Sequence, residues 1–248
     1  MKDHFPEFYS MTTEEKEKMW KEAVFVFDAN VLLNLYRYSE KTRKEFLSIL
    51  EKMGDRIWLP HQFALEYQRN RREVIEDQSS SYEVILKKMD STLKEMESLA
   101  TNQHSFLKLG RLVKKVTTPI KTIKKEIEVA KEKHPKWDQK DSIREKLDKL
   151  FEGKVGNPCK NIKEVQKEGD QRFSNKIPPG YMDMEKDNKD PTGTRKYGDW
   201  IGWYQIIEMS KEVKKPVILV LNEKKEDWWL KLKGNIIGPR PELIREMS

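Results

Sequence analysis

Four acidic residues in this sequence stand at positions from which they could act together. Each one either follows a predicted buried strand or lies on the apolar side of a predicted helix; they are Asp28, Glu66, Asp199 and Glu223. Carboxylates that a fold brings together repel one another, so such a group needs protons, basic partners or a metal ion. With no histidine or cysteine at comparable positions, these oxygen ligands favour Mg²⁺ or Mn²⁺ over zinc. A water on such an ion can attack a phosphodiester, so the pattern indicates metal-assisted phosphodiester hydrolysis.

Two of these acids come at the ends of predicted strands. Asp28 ends the short apolar run 23–27, and the run 216–221, the next strongest strand candidate, leads into Asn222 and Glu223. Runs of β-branched and aromatic residues of this length are typical of strands buried on both faces. The last residue of such a strand lies at the carboxyl edge of the sheet, where α/β proteins bind ligands. We therefore expect Asp28 at this edge, beside the N-terminus of the next helix.

The other two acids share helical stripes with apolar residues. In a helix predicted to begin at Pro60, Glu66 lies three residues after Phe63, and Asp199 heads a stripe that continues with Trp203. Residues spaced by three and four positions lie on one face of a helix, so both acids are predicted to point inward. Taken singly, each of the four acids is better explained as a helix cap or a surface ion pair. Their joint placement is what favours a site.

The middle of the chain differs from its two flanks. From about 74 to 151, narrow apolar stripes on lysine- and glutamate-rich segments predict helices, with one helix starting at Thr118-Pro119 and a later one at Asp141 or Ser142. Such stripes are typical of a helical hairpin or a small coiled-coil arm. We assign 76–168 as a helical insertion in a single domain whose core comes from about 20–75 and 170–248. The arm either packs as a solvated element or binds a partner or nucleic acid.

A proline-rich segment near the far flank is predicted to be an ordered loop. Within residues 171–198, Pro178-Pro179-Gly180 specifies a turn, and Asp183 follows it closely. The stretch 187–193 is expected to be the tip of this loop.

Composition limits the class of protein. The chain has 248 residues, with 49 Lys and Arg against 42 Asp and Glu, a net charge of +7, which suits a polyanionic partner although many basic proteins bind none. Its single cysteine excludes an intramolecular disulfide and suits a reducing compartment. The sequence shows neither a signal peptide nor an apolar stretch of about 18 residues, so we expect a cytoplasmic protein.

Several segments of the sequence resemble the bacterial PIN-like domain family. The segment Phe27-Asp28-Ala29-Asn30 is one of them, and the uncommon triplet Asp227-Trp228-Trp229 belongs to another. In chain order, the similar segments are 27–36, 59–67, 177–183, 197–203, 224–229 and 238–244. The resemblance covers both flanks of the chain, and the helical middle matches only in kind.

This resemblance implies an α/β fold with a central, mainly parallel sheet flanked by helices. It also implies an acidic site that binds Mg²⁺ or Mn²⁺ and cuts RNA, or in some branches DNA. By position, the catalytic and metal-binding residues would be Asp28, Glu66, Asp199 and Glu223, with Asp183 as a further metal ligand. The family further suggests an effector of a bacterial defence or toxin-like system, held in check by a partner that binds the helical arm.

One segment departs from the family pattern. Where the family usually has Thr-Asp-Asp, this chain has Leu221-Asn222-Glu223, so one carboxylate becomes an amide and another gains a methylene. The leading hypothesis is a metal-dependent endoribonuclease, and the alternative is a degenerate PIN-like protein that binds nucleic acid or a partner without cutting. Residues expected to contact nucleic acid are Lys186, Arg69, Arg72 and Asn30.

Overall fold

A computed structural model describes residue 1 and residues 3–101, 106–184 and 194–247. The residues of this part form helices and short strands, which are numbered separately along the chain. The helices are α1 (Thr13–Glu22), α2 (Ala29–Leu33), α3 (Glu40–Met53), α4 (His61–Ala100), α5 (Leu109–Glu132), α6 (Ser142–Leu150), α7 (Ile162–Ser174), α8 (Gly198–Val213) and α9 (Pro241–Glu246). The strands are β1 (Val24–Phe27), β2 (Ile57–Trp58), β3 (Val217–Val220), β4 (Trp229–Leu232) and β5 (Asn235–Pro239).

The central sheet is parallel and has β1 in its middle. The order is β2-β1-β3, with Phe25 opposite both Ile57 and Ile218. All four residues of β1 are buried, as is usual for a parallel strand that helices cover on both faces. The predicted α/β fold with a mainly parallel sheet flanked by helices is therefore confirmed.

Strands β1 and β3 end at the same level of the sheet. Phe27 is paired with Val220, and the amide of Asp28 donates a 3.0 Å hydrogen bond to the carbonyl of Val220. This bond continues the ladder by one residue beyond the end of β1. The two chain segments that carry Asp28 and Glu223 consequently leave the sheet side by side.

Helices α4 and α8 meet beside this edge. Gln205 on α8 accepts a 2.9 Å hydrogen bond from the Gln62 amide at the start of α4 and donates a 3.0 Å bond to the carbonyl of Asn157. An α-helix leaves its first amides without partners inside the helix, and Gln205 satisfies one of them. The start of α4 is thereby tied to the middle of α8.

The described residues divide into two compact units. The first comprises 1–70 and 144–248, and the second comprises 71–143. In the second unit, the later part of α4 and α5 form an antiparallel pair with cross-helix ion pairs Glu83–Lys131, Asp90–Lys124 and Glu97–Lys121. The helical hairpin predicted for this part is thus formed. These pairs are largely exposed, so each stabilises the hairpin by well under about 1 kcal/mol.

Two predicted element boundaries are wrong. Helix α5 begins at Leu109, not at Thr118, and Pro119 lies inside it. An internal proline removes one backbone hydrogen bond, and a helix of this length can tolerate that loss. Helix α7 reaches Ser174, so residues 171–174 of the predicted loop, Phe173 among them, are helical. The rest of that helix is amphipathic, and its buried Val165 and Phe173 hold it against the core. The predicted loop tip at 187–193 lies outside the described residues.

Across the described parts of the chain, the helices are too polar to serve as membrane spans.

Candidate carboxylate site

Asp28 is a buried acid at the junction between β1 and α2. It is the N-cap of α2, and its Oδ2 accepts a 3.3 Å hydrogen bond from the amide of Asn30. The residue is only 5% exposed, and burial raises the pKa of its carboxyl group, with the nearby charge of Glu223 adding to the effect. Asp28 is therefore placed as predicted, and the charge of Glu223 acts on it.

Glu223 lies three residues beyond β3 and is oriented by the backbone that follows it. Its Oε1 accepts hydrogen bonds from the amides of Lys224 (2.7 Å) and Lys225 (3.1 Å). Burial alone would raise the pKa of this carboxyl group, but these amides and the Lys225 ammonium outweigh it, and the pKa is lowered. At neutral pH, Glu223 is accordingly a carboxylate with a defined orientation.

The ammonium group of Lys225 lies among the acids. Its Nζ is 2.8 Å from Oδ1 of Asp183 and 3.1 Å from Oε2 of Glu223. Burial would lower the pKa of Lys225, but the hydrogen bond to Asp183 and the charge of Asp199 outweigh it, and the pKa is raised. Lys225 thus joins the loop that carries Asp183 to the strand end that carries Glu223.

Asp199 and Glu66 approach one another through the start of α8. Asp199 is the second residue of this helix, and its Oδ2 accepts a 3.1 Å hydrogen bond from the indole of Trp228. Glu66 accepts a 2.7 Å hydrogen bond from the side-chain amide of Gln62. Its carboxylate lies against the α-carbon of Gly198, where an added methyl group would overlap it. The two acids predicted to face inward are therefore both positioned at the first turn of α8.

The triplet Asp227-Trp228-Trp229 holds three parts of this site, and sequence analysis assigned it no role there. Asp227 is fully buried, and its Oδ2 accepts bonds from the amides of Gly180 (3.0 Å) and Met182 (3.2 Å), which lie just before Asp183. Trp228 donates to Asp199, and Trp229 donates a 2.7 Å bond to the carbonyl of Glu223. A carboxylate and two indole N–H groups just after an acidic strand end are the signal that could have found this role.

One carboxylate oxygen of Asp227 is buried without a hydrogen-bond partner among the described residues. Within the described residues, its Oδ1 makes no hydrogen bond, and burial raises the pKa of its carboxyl group. A buried acid with an unpaired oxygen lowers stability. Its retention here is consistent with a role in holding the loop of Asp183.

Of the four residues predicted to contact nucleic acid, three are described, and all three are exposed. Asn30 is exposed next to Asp28, whereas Arg69 and Arg72 are exposed on α4, one to two turns beyond Glu66. For neither arginine is a contact with a candidate acid described in the structured part of the chain. Lys186 lies outside the described residues.

The donor atoms of the site match a hard divalent cation. Asp28, Glu66, Asp183, Asp199 and Glu223 offer only carboxylate oxygens, the ligands that Mg²⁺ and Mn²⁺ prefer. In 3–101, 106–184 and 194–247, however, no three acidic, histidine or cysteine side chains are grouped tightly enough to chelate an ion as they stand. The residues thus fit the metal in chemical type, while the ammonium of Lys225 is the cation among them.

The fold and the site define a class of α/β proteins in which acidic side chains collect at the carboxyl edge of a parallel sheet. A family model described as "PIN like domain" matches residues 24–243, so this chain belongs to the PIN-like domain family. Proteins of this family are generally nucleases, and the fold is accordingly of nuclease type. No curated protein and no solved structure matches the chain.

Proposed function

We propose that this protein is a metal-dependent nuclease that hydrolyses phosphodiester bonds, with RNA as its substrate. The observation that carries the proposal is the connected set of acids at the sheet edge: Lys225 bridges Asp183 and Glu223, and Trp228 binds Asp199. A fold seldom holds several acids close together without a use, because their repulsion and desolvation lower its stability.

Mg²⁺ or Mn²⁺ would be held by carboxylates of Asp28, Asp199 and Glu223, with Glu66 and Asp183 completing the site. When bound, such an ion neutralises charge on the phosphate and activates a water for attack. The chain itself positions these groups. The amide of Asn30 orients Asp28, the indole of Trp228 orients Asp199, and the amides after Glu223 orient its carboxylate.

The positive charge of the chain supports a nucleic-acid substrate. A net charge of +7 favours association with a polyanion, and cations that contact phosphates contribute most of non-specific affinity. Asn30, Arg69 and Arg72 are exposed and available for such contacts, and Lys186 completes the proposed set. The preference for RNA over DNA rests on the family resemblance.

Cleavage by the Asp28→Asn variant tests this function. The change removes a charge but keeps an oxygen that can accept the bond from Asn30, so the fold should persist. We expect Mn²⁺-dependent cleavage of an end-labelled RNA to fall by at least about 100-fold, since the site loses a charged ligand.

The matched control is Asp138→Asn, an exposed aspartate of the second unit. It should cut at the parent rate. Cleavage by Asp28→Asn at that same rate would refute the assignment of this site.

A second candidate function is a PIN-like protein that binds nucleic acid or a partner without cutting it. Two observations favour it: the Leu221-Asn222-Glu223 segment lacks one carboxylate, and the Lys225 ammonium lies where acids would face a metal. Titration with Mn²⁺ followed by calorimetry separates the two functions. Binding at millimolar metal supports the nuclease, and its absence supports the binding protein.

A role as an effector of bacterial defence, restrained by a partner on the helical arm, rests on the family resemblance alone. The arm offers long exposed helices on which a partner could bind. If the partner binds there, removal of the arm should abolish binding while the acids of the first unit remain in place.

A further inference from the structure

We propose that Lys225 is the built-in counter-ion of the carboxylate site, and that a divalent cation must displace its ammonium group in order to bind. The inference rests on the proposed function, because the metal is the one proposed there. It assigns to Lys225 a positioning role that limits how tightly the site holds its ion.

The position of the ammonium group is the first support. It contacts Asp183 at 2.8 Å and Glu223 at 3.1 Å, and the charge of Asp199 acts on it as well. These are three of the five acids that would hold the metal. An ammonium ion and a divalent cation cannot both occupy the same space between carboxylates, so the two compete for it.

The burial of Asp183 is the second support. This carboxylate is only 4% exposed, and a buried carboxylate without a cation is strongly destabilising. The ammonium group of Lys225, 2.8 Å away, provides a cation for it. In the metal-free protein, the ammonium group therefore stabilises an arrangement that the acids alone would disrupt.

The different mobilities of the partners explain how displacement can occur. Asp183 lies in a loop that Asp227 fastens through the amides of Gly180 and Met182, and the amides of Lys224 and Lys225 hold Glu223. Lys225 is 28% exposed at the end of a flexible four-carbon stem. When a metal arrives, the ammonium group can turn to solvent while the carboxylates stay in position.

Mn²⁺ affinity, measured by calorimetry on the full chain, tests this role. Lys225→Met keeps the length of the side chain but removes the charge, and it should bind Mn²⁺ at least about tenfold more tightly than the parent because a competing cation is lost. Lys225→Arg retains the charge and should stay near the parent affinity. Lys224→Met is the matched control, because Lys224 is an exposed lysine one residue away whose side chain makes no described ion pair.

A metal-free measurement tests the same role independently. In urea, Lys225→Met should unfold at a lower midpoint than Lys224→Met, because only the former removes the ammonium group that contacts Asp183 and Glu223. Lys225→Gln, which can still donate a hydrogen bond to Asp183, serves if Lys225→Met does not fold. Equal midpoints for the variants at 224 and 225 would overturn the proposal.

The metal titration separates failure of this inference from failure of the proposed function. If the parent binds Mn²⁺ and Lys225→Met binds it equally or more weakly, the counter-ion role is refuted and the nuclease proposal stands. If only Lys225→Met binds, the role is supported and metal dependence of the parent is refuted. If neither protein binds Mn²⁺, both proposals fail.

Discussion

At the scale of single residues, Asp28 shows a conflict between stability and chemistry. It is an acid in the interior of the protein, where burial raises the pKa of its carboxyl group. Hydrogen bonds from Asn30, whose amide is 3.3 Å from Oδ2, and from the amide of Ala29 lower the pKa, but burial outweighs them. A residue kept under these conditions is better explained by a ligand than by the fold.

The conflict predicts that Asp28→Asn stabilises the protein while it removes activity. Because the pKa of Asp28 is raised on folding, the folded state holds the proton more tightly, and stability declines as pH rises from the ordinary aspartate range through the raised pKa. At pH 7 the variant should be more stable on the order of 1 kcal/mol, the usual scale for single substitutions. Urea unfolding without metal measures the difference.

The advantage of the variant should shrink towards pH 4, where Asp28 regains its proton and becomes neutral as well. Asparagine remains a good N-cap, so α2 should not be weakened. A variant that is less stable than the parent at pH 7 would contradict this account.

At the scale of elements, α4 and α8 approach each other through two glycines of α8. A β-carbon on Gly202 would overlap the ring of the fully buried Phe63, whereas one on Gly198 would overlap the carboxylate of Glu66 and touch the Gln62 side chain without overlap. The aromatic ring is enclosed by the core and cannot move, but a carboxylate at the end of a flexible side chain can. One contact therefore maintains packing, and the other positions a candidate ligand.

Two alanine substitutions should separate packing from positioning. Gly202→Ala should destabilise the protein by roughly 1–3 kcal/mol through overpacking, as measured by urea unfolding. Gly198→Ala should leave stability nearly unchanged but displace Glu66, and so lower Mn²⁺ affinity. Gly110→Ala is the control in α5, where no described atom outside the adjoining helix backbone and the neighbouring residues lies within 4 Å of the new methyl group. If Gly198→Ala binds Mn²⁺ as the parent does, Glu66 does not contribute to metal binding.

At the scale of the whole molecule, the site residues and the helical hairpin belong to different units. All five candidate acids lie in the unit of 1–70 and 144–248, and the hairpin lies in 71–143. Within the hairpin, Glu83 and Lys131 form an ion pair, so the two helices are adjacent there. The aromatic contacts of His134 with Tyr82 and Trp137 involve residues outside the segment 84–130 that connects this ion pair.

This arrangement predicts that the hairpin can be shortened without loss of the site. Replacing 84–130 with a short glycine- and serine-rich linker keeps the cluster around His134 and joins positions that are already close. Mn²⁺ affinity and RNA cleavage should stay within about threefold of the parent, since independent sites are nearly additive. Loss of Mn²⁺ binding in a folded variant would show that the hairpin contributes to the site.

Much of the fold was predictable because local sequence patterns determine it. The apolar run before Asp28 predicted β1, and the stripes of Phe63 with Glu66 and of Asp199 with Trp203 predicted which faces of α4 and α8 turn inward. The spacing of apolar residues and the apolar content of a segment are local properties, so they can be read directly from the sequence. The start of α5 was missed because a proline favours a helix start locally, yet a long helix tolerates it.

The sequence by itself determined only which acids are candidates for the site: Asp28, Glu66, Asp199, Glu223 and the loop residue Asp183. The tertiary structure alone decided that Lys225 lies between Asp183 and Glu223, and that Asp227, Trp228 and Trp229 each hold a different part of the site. These contacts join residues between 6 and 47 positions apart along the chain, except for Lys225 and Glu223, which are two positions apart. Side-chain hydrogen bonds between distant segments leave no periodic pattern, because they depend on how the elements pack and not on the order of residues within any one of them.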